Sequence, residues 1–287
     1  LSQAAPARVL IYSRTLRFRH DSIPIAIESL RSHASADDII FDQTEDQGQF
    51  TDENLQKYDA LLFLSTTGEV LDDGGKTAFQ NYLNKGGNFI AVHSASDCLQ
   101  NTTAYGRELA GSYFDYHADL QNAIVDVIVS NHPSTSKLPS AWKVRDEMYN
   151  FVSDPRSLGA VVILAANESS YVDTGTRKFD QGSPHPIAWC QEHGAGTDND
   201  KLAGRSFYTS LGHSNETWQD DLFVSHVMGG IHWTLQSNTT LALNSSGLVG
   251  NLNANESQST NSPSSTSFTR SPTQTQYVYT WLIKCSF

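Results

Sequence analysis

Short apolar runs alternate with helix-like segments in the first third of this 287-residue chain, and this alternation most constrains its fold. The runs are RVLIYS at 8–13, DALLFLS at 59–65 and NFIAV at 88–92. A strand that is apolar on both faces must be covered on both sides, as in a parallel sheet flanked by helices. Apolar residues at helical spacing over 22–33 and 72–85 supply such helices. The sequence therefore predicts an α/β domain with a mainly parallel sheet.

Further strands and one closing helix are predicted in the second half of the chain. The strands cover 123–129, 142–148, 159–165, 186–190 and 204–210, and the helix covers 218–235. We predict one domain over residues 8–236, preceded by a short N-terminal extension at 1–7. From 237 onward Ser, Thr, Asn, Gln and Pro dominate, and such a segment cannot bury enough apolar surface to offset its conformational entropy. Residues 237–287 are therefore predicted to be a disordered, Ser/Thr/Asn-rich tail.

The charge balance and the hydropathy exclude two classes of partner. Asp and Glu number 31 against 19 Lys and Arg, which gives a formal net charge of -12 at pH 7. Such an acidic chain repels phosphate backbones, so we expect no nucleic-acid partner. No apolar run approaches the roughly 18 residues that a membrane-spanning helix needs, so we expect no membrane span.

Six Asn-x-Ser/Thr sequons indicate the compartment. They are Asn101, Asn167, Asn215, Asn238, Asn244 and Asn255. Several acceptor sites in a polar, lysine-poor chain are typical of a secreted glycoprotein. The first residue is Leu1, and we expect a mature extracellular protein that carries N-linked glycans and has lost its leader. Three cysteines, Cys98, Cys190 and Cys285, permit one disulfide, and the sequence leaves open whether Cys98 meets Cys190.

Five of the ten histidines lie beside the ends of predicted strands. They are His20, His93, His117, His185 and His213. In open α/β sheets ligands collect beyond the carboxyl ends of the strands, so we expect at least three of these histidines to converge in one pocket. Imidazole moves protons near neutral pH, which suits general acid–base catalysis. With Asp97 or Glu147 the cluster could instead hold a divalent metal, but the sequence has no His-x-x-x-His or Cys-x-x-Cys signature, and we assign no metal ligand or cofactor.

A series of short motifs runs through the same region. In order they are FRHDSI at 18–23, FTDENL at 50–55, TTGEVL at 66–71, GGNFIAVH at 86–93 followed by Asp97, NHPS at 131–134, DEMYNF at 146–151, HPIAW at 185–189 and LGH at 211–213. In combination these motifs resemble the trehalose-utilisation (ThuA-like) family over about residues 8–235. The resemblance implies a flavodoxin-like fold related to class I glutamine amidotransferases. It also implies a link to sugar metabolism, in some members through 3-keto-glycosides.

The same resemblance argues against amide hydrolysis. In amidotransferases the turn after the strand equivalent to 88–92 carries a cysteine nucleophile, whereas here that strand leads into His93. Cys98 lies five residues later, Cys190 lies within a predicted strand, and the sequence has no Gly-x-Ser-x-Gly motif. A site in which histidines and carboxylates transfer protons is therefore favoured over nucleophilic catalysis.

We predict a secreted carbohydrate-active enzyme as the first of two functions. A histidine would remove the α-proton of a keto-sugar or uronate glycoside, and isomerisation, elimination or glycosidic cleavage would follow. The predicted catalytic residues are His93 and His213 as acid and base, His117, and Glu147 or Asp97 to orient a histidine. The predicted substrate-binding residues are Arg19, His20, Thr67, Tyr149, His185 and Trp189. The alternative is a non-catalytic carbohydrate-binding module on a flexible stalk, in which the histidines have no role.

Overall fold

The computed structural model describes residues 6–34, 38–198 and 202–251. Nine strands in this part of the chain form one sheet. They are β1 (Ala7–Tyr12), β2 (Ile39–Thr44), β3 (Ala60–Leu64), β4 (Asn88–Val92), β5 (Phe114–Val127), β6 (Ala141–Phe151), β7 (Val161–Ala166), β8 (Pro186–Gln191) and β9 (Ser206–Thr209). Their order across the sheet is β2-β1-β3-β4-β9-β8-β7-β5-β6.

The sheet is parallel over one half and antiparallel over the other. β1 pairs with β2 and β3, β3 with β4, and β4 with β9, all in parallel. β8 pairs antiparallel with β9 and β7, and β5 pairs antiparallel with β7 and β6. The flavodoxin-like α/β fold class is confirmed. The expectation of a mainly parallel sheet was wrong for the half built from β5 to β8, because loops rather than crossover helices join those strands.

Helices cover both faces of the sheet. They are α1 (Ile23–Ala34), α2 (Asp52–Leu55), α3 (Asp73–Asn84), α4 (Thr103–Glu108) and α5 (Asp221–Leu235). Side chains alternate along β1, so that Val9 and Ile11 pack in one core with α1 and α5, whereas Leu10 and Tyr12 pack in the other with α3 and α4. Every residue of β3 and β4 is buried, as their continuous apolar runs predict. The six-residue α4 was not predicted, because it is too short to give a periodic signal.

The packed body continues beyond the predicted end of the domain. The carboxylate of Asp59, which precedes β3, accepts hydrogen bonds from Arg8 N at 2.8 Å and Asn251 N at 3.2 Å. Residues 237–251, the described part of the predicted tail, are thereby held against the amino ends of β1 and β3. Disorder was expected for this segment because its apolar content is low. Backbone hydrogen bonds to the buried carboxylate of Asp59 hold it in place instead. Residues 252–287 lie outside the described residues.

Two expectations about membranes and cysteines can be compared with the structure. Among the described residues, no helix combines the length and the apolar character needed to cross a membrane. Cys98 and Cys190 are both buried free thiols, so the two do not pair. Cys285 and residues 1–5 of the predicted N-terminal extension lie outside the described residues.

Candidate active site

His93 follows β4 in a sharp turn that directs its imidazole toward the end of β9. Its φ is +57°, in the left-handed region that few residues other than glycine adopt. Tyr208 Oη on β9 donates to His93 O at 3.0 Å and holds the turn. His93 Nδ1 lies 2.7 Å from Ser210 O, and because a carbonyl oxygen only accepts, Nδ1 carries the proton. The Nε2 lone pair of the neutral ring therefore points into the site.

Two further groups meet His93 Nε2. His20 Nε2 lies 3.0 Å away and Tyr149 Oη lies 3.1 Å away. His20 belongs to the loop between β1 and α1 and is buried, and Ser94 Oγ lies 3.4 Å from its Nδ1. Burial, reinforced by the neighbouring imidazoles, lowers the pKa of His20 to about 4 and lowers the pKa of His93 well below its ordinary value. Both rings are therefore neutral at pH 7.

Glu147, on β6, joins this pair to two more histidines. Its Oε2 lies 3.2 Å from His213 Nδ1 and 3.8 Å from His93 Nε2, and its Oε1 lies 3.6 Å from His117 Nδ1. The adjacent carboxylate raises the pKa of His213 above its ordinary value. Four of the residues, His20, His93, His213 and Glu147, each place one ligand atom within 4.8 Å of the others, and we call them the histidine cluster. The prediction that at least three strand-end histidines converge is confirmed.

Asp146, the residue before Glu147, holds the loop that carries His213. It is buried, and it accepts hydrogen bonds from Gly212 N at 2.9 Å and His213 N at 3.4 Å. Gly212 has a φ of +131°, a conformation that a residue with a side chain would adopt only under strain. Trp218 Nε1 donates to Gly212 O at 3.0 Å from the other side of the loop. The loop backbone at Gly212 and His213 is thus held from two sides.

A cavity of about 240 Å³ opens beside the histidine cluster. Its lining includes Phe18, His20, Asp21, Arg145, His213 and Asn215. Two members of the cluster, His20 and His213, line this cavity, whereas His93 is fully buried behind His20. The volume is below the roughly 300–1,000 Å³ typical of pockets for drug-sized ligands. The cavity therefore suits a small ligand, about the size of one sugar ring.

Three residues predicted for the site instead hold the loops around it. Arg17 Nη1 lies 3.0 Å from Asp97 Oδ1, and Arg19 Nη2 lies 2.7 Å from Glu45 Oε1. Thr67 Oγ1 donates at 2.9 Å to a carbonyl of the loop between β1 and α1. These contacts neutralise both arginines and fix the loop. Asp97 does not orient a histidine as predicted, because Arg17 engages its carboxylate.

Two other predicted substrate-binding residues lie outside the cavity lining. His185 Nε2 lies 2.7 Å from Tyr149 O, and His185 Nδ1 lies 3.0 Å from Glu168 Oε1. His185 therefore supports β6 beneath Tyr149. Trp189 is 1% exposed, and its ring centroid lies 4.4 Å from that of Tyr208. Trp189 is a core residue that leaves no face for a sugar, which corrects its predicted role in binding.

Three contributors to the site were missed or misplaced by sequence reasoning. Asp146 was noted as part of a motif but was given no role, although an acidic pair within a buried strand is a signal for one. Ser210 contributes a backbone carbonyl, for which the sequence carries no signal. His117 lies inside β5 and not at a strand end, because β5 begins at Phe114, nine residues before the predicted strand.

A comparison with known families identifies the chain. The model of the family ThuA, described as trehalose utilisation, matches residues 8–234. The chain belongs to the ThuA family. The ThuA match runs from β1 into α5 and includes every member of the histidine cluster. No curated protein sequence matches the chain.

Solved structures with a similar fold include two ThuA-like proteins. The one from Bacteroides uniformis ATCC 8492 is 21% identical, with a TM-score of 0.63 over 81% of this chain and 93% of that chain. The one from Parabacteroides merdae ATCC 43184 is 16% identical, with a TM-score of 0.56 over 80% of this chain and 90% of that chain. A glutamine amidotransferase from Thermotoga maritima is 10% identical, with a TM-score of 0.44 over 80% and 99% of the two chains. At these identities, the similarity to the two ThuA-like structures shows that this ThuA family member shares their fold, and nothing beyond the fold.

Proposed function

We propose that this protein is an enzyme that acts on a sugar and that the histidine cluster is its acid–base site. The observation that carries the proposal is the meeting of three histidines and Glu147 beside a cavity of the size of one sugar ring. The description of the family as trehalose utilisation supports a carbohydrate substrate. Histidines and carboxylates in contact within a cleft are suited to proton transfer.

The two histidines that line the cavity have environments that suit opposite tasks. His213 lies 3.2 Å from the Glu147 carboxylate, which stabilises its charged, proton-donating form. Burial lowers the pKa of His20 to about 4, which keeps its ring neutral and able to accept a proton. His93, predicted as acid or base, is buried behind His20, so its role is to position that ring.

The proposed reaction begins at the carbon next to the carbonyl of a keto-sugar or the carboxylate of a uronate. His20 removes the proton from this carbon, and the C–H electron pair forms an enolate. In an elimination, the bond from the β-carbon to the leaving oxygen then breaks, and His213 protonates that oxygen. In an isomerisation, the proton returns to a neighbouring carbon instead. Both routes balance without an oxidant or reductant.

The cavity offers groups that suit this substrate class. Phe18 is 65% exposed at its rim, and its ring packs edge-on against His20 with centroids 4.7 Å apart. An exposed aromatic face can stack on the apolar face of a sugar ring. Arg145 is exposed in the cavity lining. Its guanidinium can bind the carboxylate of a uronate in two parallel hydrogen bonds.

The test is an activity screen on keto-sugars, uronates and polysaccharides. New reducing ends report glycosidic cleavage, and ultraviolet absorbance of an unsaturated product reports elimination. We expect His213→Ala to abolish turnover and His33→Ala, at an exposed histidine on α1, to leave it unchanged. Sugar binding without turnover across the whole screen would overturn the proposal and support the non-catalytic binding module.

Secretion and N-glycosylation are also proposed. Asn101, Asn215 and Asn238 are exposed, as acceptor sites for glycosylation must be. The protein expressed through a eukaryotic secretory pathway should lose mass on treatment with peptide N-glycosidase, and these asparagines should be converted to aspartate. Export without any change in mass would contradict the proposal of N-linked glycans.

A further inference from the structure

We infer that the histidine cluster, His20, His93, His213 and Glu147, binds one divalent transition-metal ion. Three imidazole nitrogens and one carboxylate oxygen form a ligand set suited to zinc and its first-row neighbours. One ligand atom from each residue lies within 4.8 Å of the others. Three of the four residues are buried and His213 is half-buried, so bulk water competes little for the ion.

Two of the separations between ligand atoms are close to those of a tetrahedral site. With bonds of about 2.05 Å, neighbouring ligand atoms in a tetrahedron lie about 3.3 Å apart. His20 Nε2 and His93 Nε2 are 3.0 Å apart, and His213 Nδ1 and Glu147 Oε2 are 3.2 Å apart. The distance from His93 Nε2 to Glu147 Oε2 is 3.8 Å. The remaining distances between ligand atoms are at most 4.8 Å.

Hydrogen bonds on the outside of the cluster direct a lone pair toward its centre. His93 Nδ1 donates to Ser210 O at 2.7 Å, the kind of backbone contact that fixes the tautomer of a metal-binding histidine. The single lone pair on His93 Nε2 then has two neighbours, His20 Nε2 at 3.0 Å and Tyr149 Oη at 3.1 Å. This lone pair can accept one well-aligned hydrogen bond, from either His20 or Tyr149. A cation at the centre would instead coordinate His93 Nε2 and His20 Nε2 together, so that the lone pair of each nitrogen has a partner.

The geometry at His213 leaves its Nδ1 available to an ion. Its Nδ1 is shielded from solvent and makes no well-aligned hydrogen bond with the described residues, although Glu147 Oε2 lies 3.2 Å away. Asp146 accepts hydrogen bonds from the backbone nitrogens of Gly212 and His213, so the backbone that carries this ring is held in place. A ligand site with a pre-positioned fourth member binds an ion with little reorganisation.

The metal site does not depend on the proposed substrate class, but an ion bound there would take His20 and His213 out of their proposed roles as base and acid. With an ion bound, the lone pairs of His20 and His213 are occupied. His117, whose Nδ1 lies 3.6 Å from Glu147 Oε1, is then the adjacent histidine left free to carry protons. The ion itself would polarise a sugar carbonyl as a Lewis acid.

The test uses the full chain after removal of metal with a chelator and dialysis. Calorimetric titration with Zn²⁺ should give one ion per chain, and Mg²⁺, which prefers oxygen ligands, should bind far more weakly. Co²⁺ should give visible absorption bands of a low-coordinate nitrogen and oxygen site. Absence of stoichiometric binding of Zn²⁺, Co²⁺ and Mn²⁺ would overturn the inference.

Two matched variants locate the ion. His213 and His117 are both partly exposed and both adjoin Glu147, but only His213 belongs to the cluster. We expect His213→Ala to weaken Zn²⁺ binding by about a hundredfold or more, and His117→Ala to leave it within about threefold. Glu147→Gln, which keeps the shape of the side chain, should also weaken binding. Circular dichroism confirms that each variant is folded, and unchanged affinity in folded His213→Ala and Glu147→Gln would overturn the site.

The two proposals fail separately. Stoichiometric ion binding without turnover on any sugar would contradict the proposed function and leave the metal site standing. Full turnover by a protein that binds no ion would contradict the metal site and leave the proposed function standing.

Discussion

Replacing Glu108 with glutamine should change how the stability of this protein depends on pH. Glu108 ends α4 and is 3% exposed, and its Oε1 accepts a hydrogen bond from Gly196 N at 2.9 Å. Burial raises its pKa from 4.5 to about 8. The folded protein therefore keeps this carboxyl group neutral at pH 7, whereas the unfolded chain ionises it.

The size of the effect follows from the difference in bound protons. Between about pH 4.5 and pH 8 the folded state holds one proton more at Glu108 than the unfolded state, so the free energy of unfolding falls by about 1.4 kcal/mol per pH unit. The stabilisation is complete below pH 4.5 and is lost as the pH rises to about 8. His20, His132 and His226, whose pKa values burial lowers from 6.5 to about 4, act in the opposite direction below pH 6.5. The interval from about pH 6.5 to 8 avoids most of their effect, and comparison with Glu108→Gln removes the contribution of His213, whose pKa Glu147 raises. The expected loss that is due to Glu108 is about 2 kcal/mol.

Urea unfolding followed by tryptophan fluorescence measures this loss. We expect the free energy of unfolding of the wild type, minus that of Glu108→Gln, to fall by about 2 kcal/mol from about pH 6.5 to 8. Glu53→Gln changes an exposed carboxyl group on α2 and is the control, for which the same difference should stay constant. Parallel pH profiles of the wild type and Glu108→Gln would refute the reasoning, because they would mean that folded Glu108 is already ionised across the interval.

Three further outcomes are expected. Asp146→Asn removes the carboxylate that accepts from Gly212 N, so the free energy of unfolding should fall by about 1.5–3 kcal/mol in urea and any sugar turnover should fall with it. Cys98 and Cys190, whose pKa values burial raises to about 12, should resist a thiol reagent in the native protein and react in urea; peptide mass spectrometry that finds either one labelled in native protein would contradict this. Phe63→Ala, at a fully buried position, should cost about 3–5 kcal/mol of stability in urea, and a cost below about 1 kcal/mol would argue against its packing.

The parallel half of the sheet could be predicted because its signal is local. Every residue of β3 and β4 is buried, so burial on both faces appears in the sequence as an unbroken apolar run. The antiparallel half gives no such signal. β5 alternates irregularly between buried and exposed residues, and its register against β6 shifts twice. An alternating pattern that is interrupted in this way predicts a shorter strand. Only the second part of β5 was therefore predicted, as a strand over 123–129.

The candidate site was predictable in its chemistry and not in its arrangement. Polar residues directly after apolar strands stand out in a sequence, which is how His93 and His213 were found, and Glu147 was noted as a charged residue in a predicted strand. The path of a loop and the direction of a side chain have no such signal. Asp97 follows the same strand as His93 but turns to Arg17, and Trp189 lies in a strand whose side chains are all buried. Both were assigned roles that their surroundings exclude.

The parallel half explains one side of the histidine cluster. β4 and β9 are neighbours in the sheet, with Val92 paired to Thr209. The residues that follow these two strands, His93 and Ser210, must therefore meet at the same edge, and they do so through a 2.7 Å contact. This part of the site follows from strand order alone, as the rule for ligand positions in open α/β sheets states.

The other side of the cluster requires the antiparallel half to bend back over the sheet. β6 lies five strand positions from β4, which is roughly 24 Å in a flat sheet at about 4.8 Å per strand. Tyr149 Oη on β6 nevertheless lies 3.1 Å from His93 Nε2. The register of β5 against β6 shifts on either side of His117, and such irregularities bend a strand pair and increase its twist. The same irregularities that concealed β5 in the sequence bend the hairpin that carries Glu147 to the histidines, so this carboxylate could be recognised but not placed.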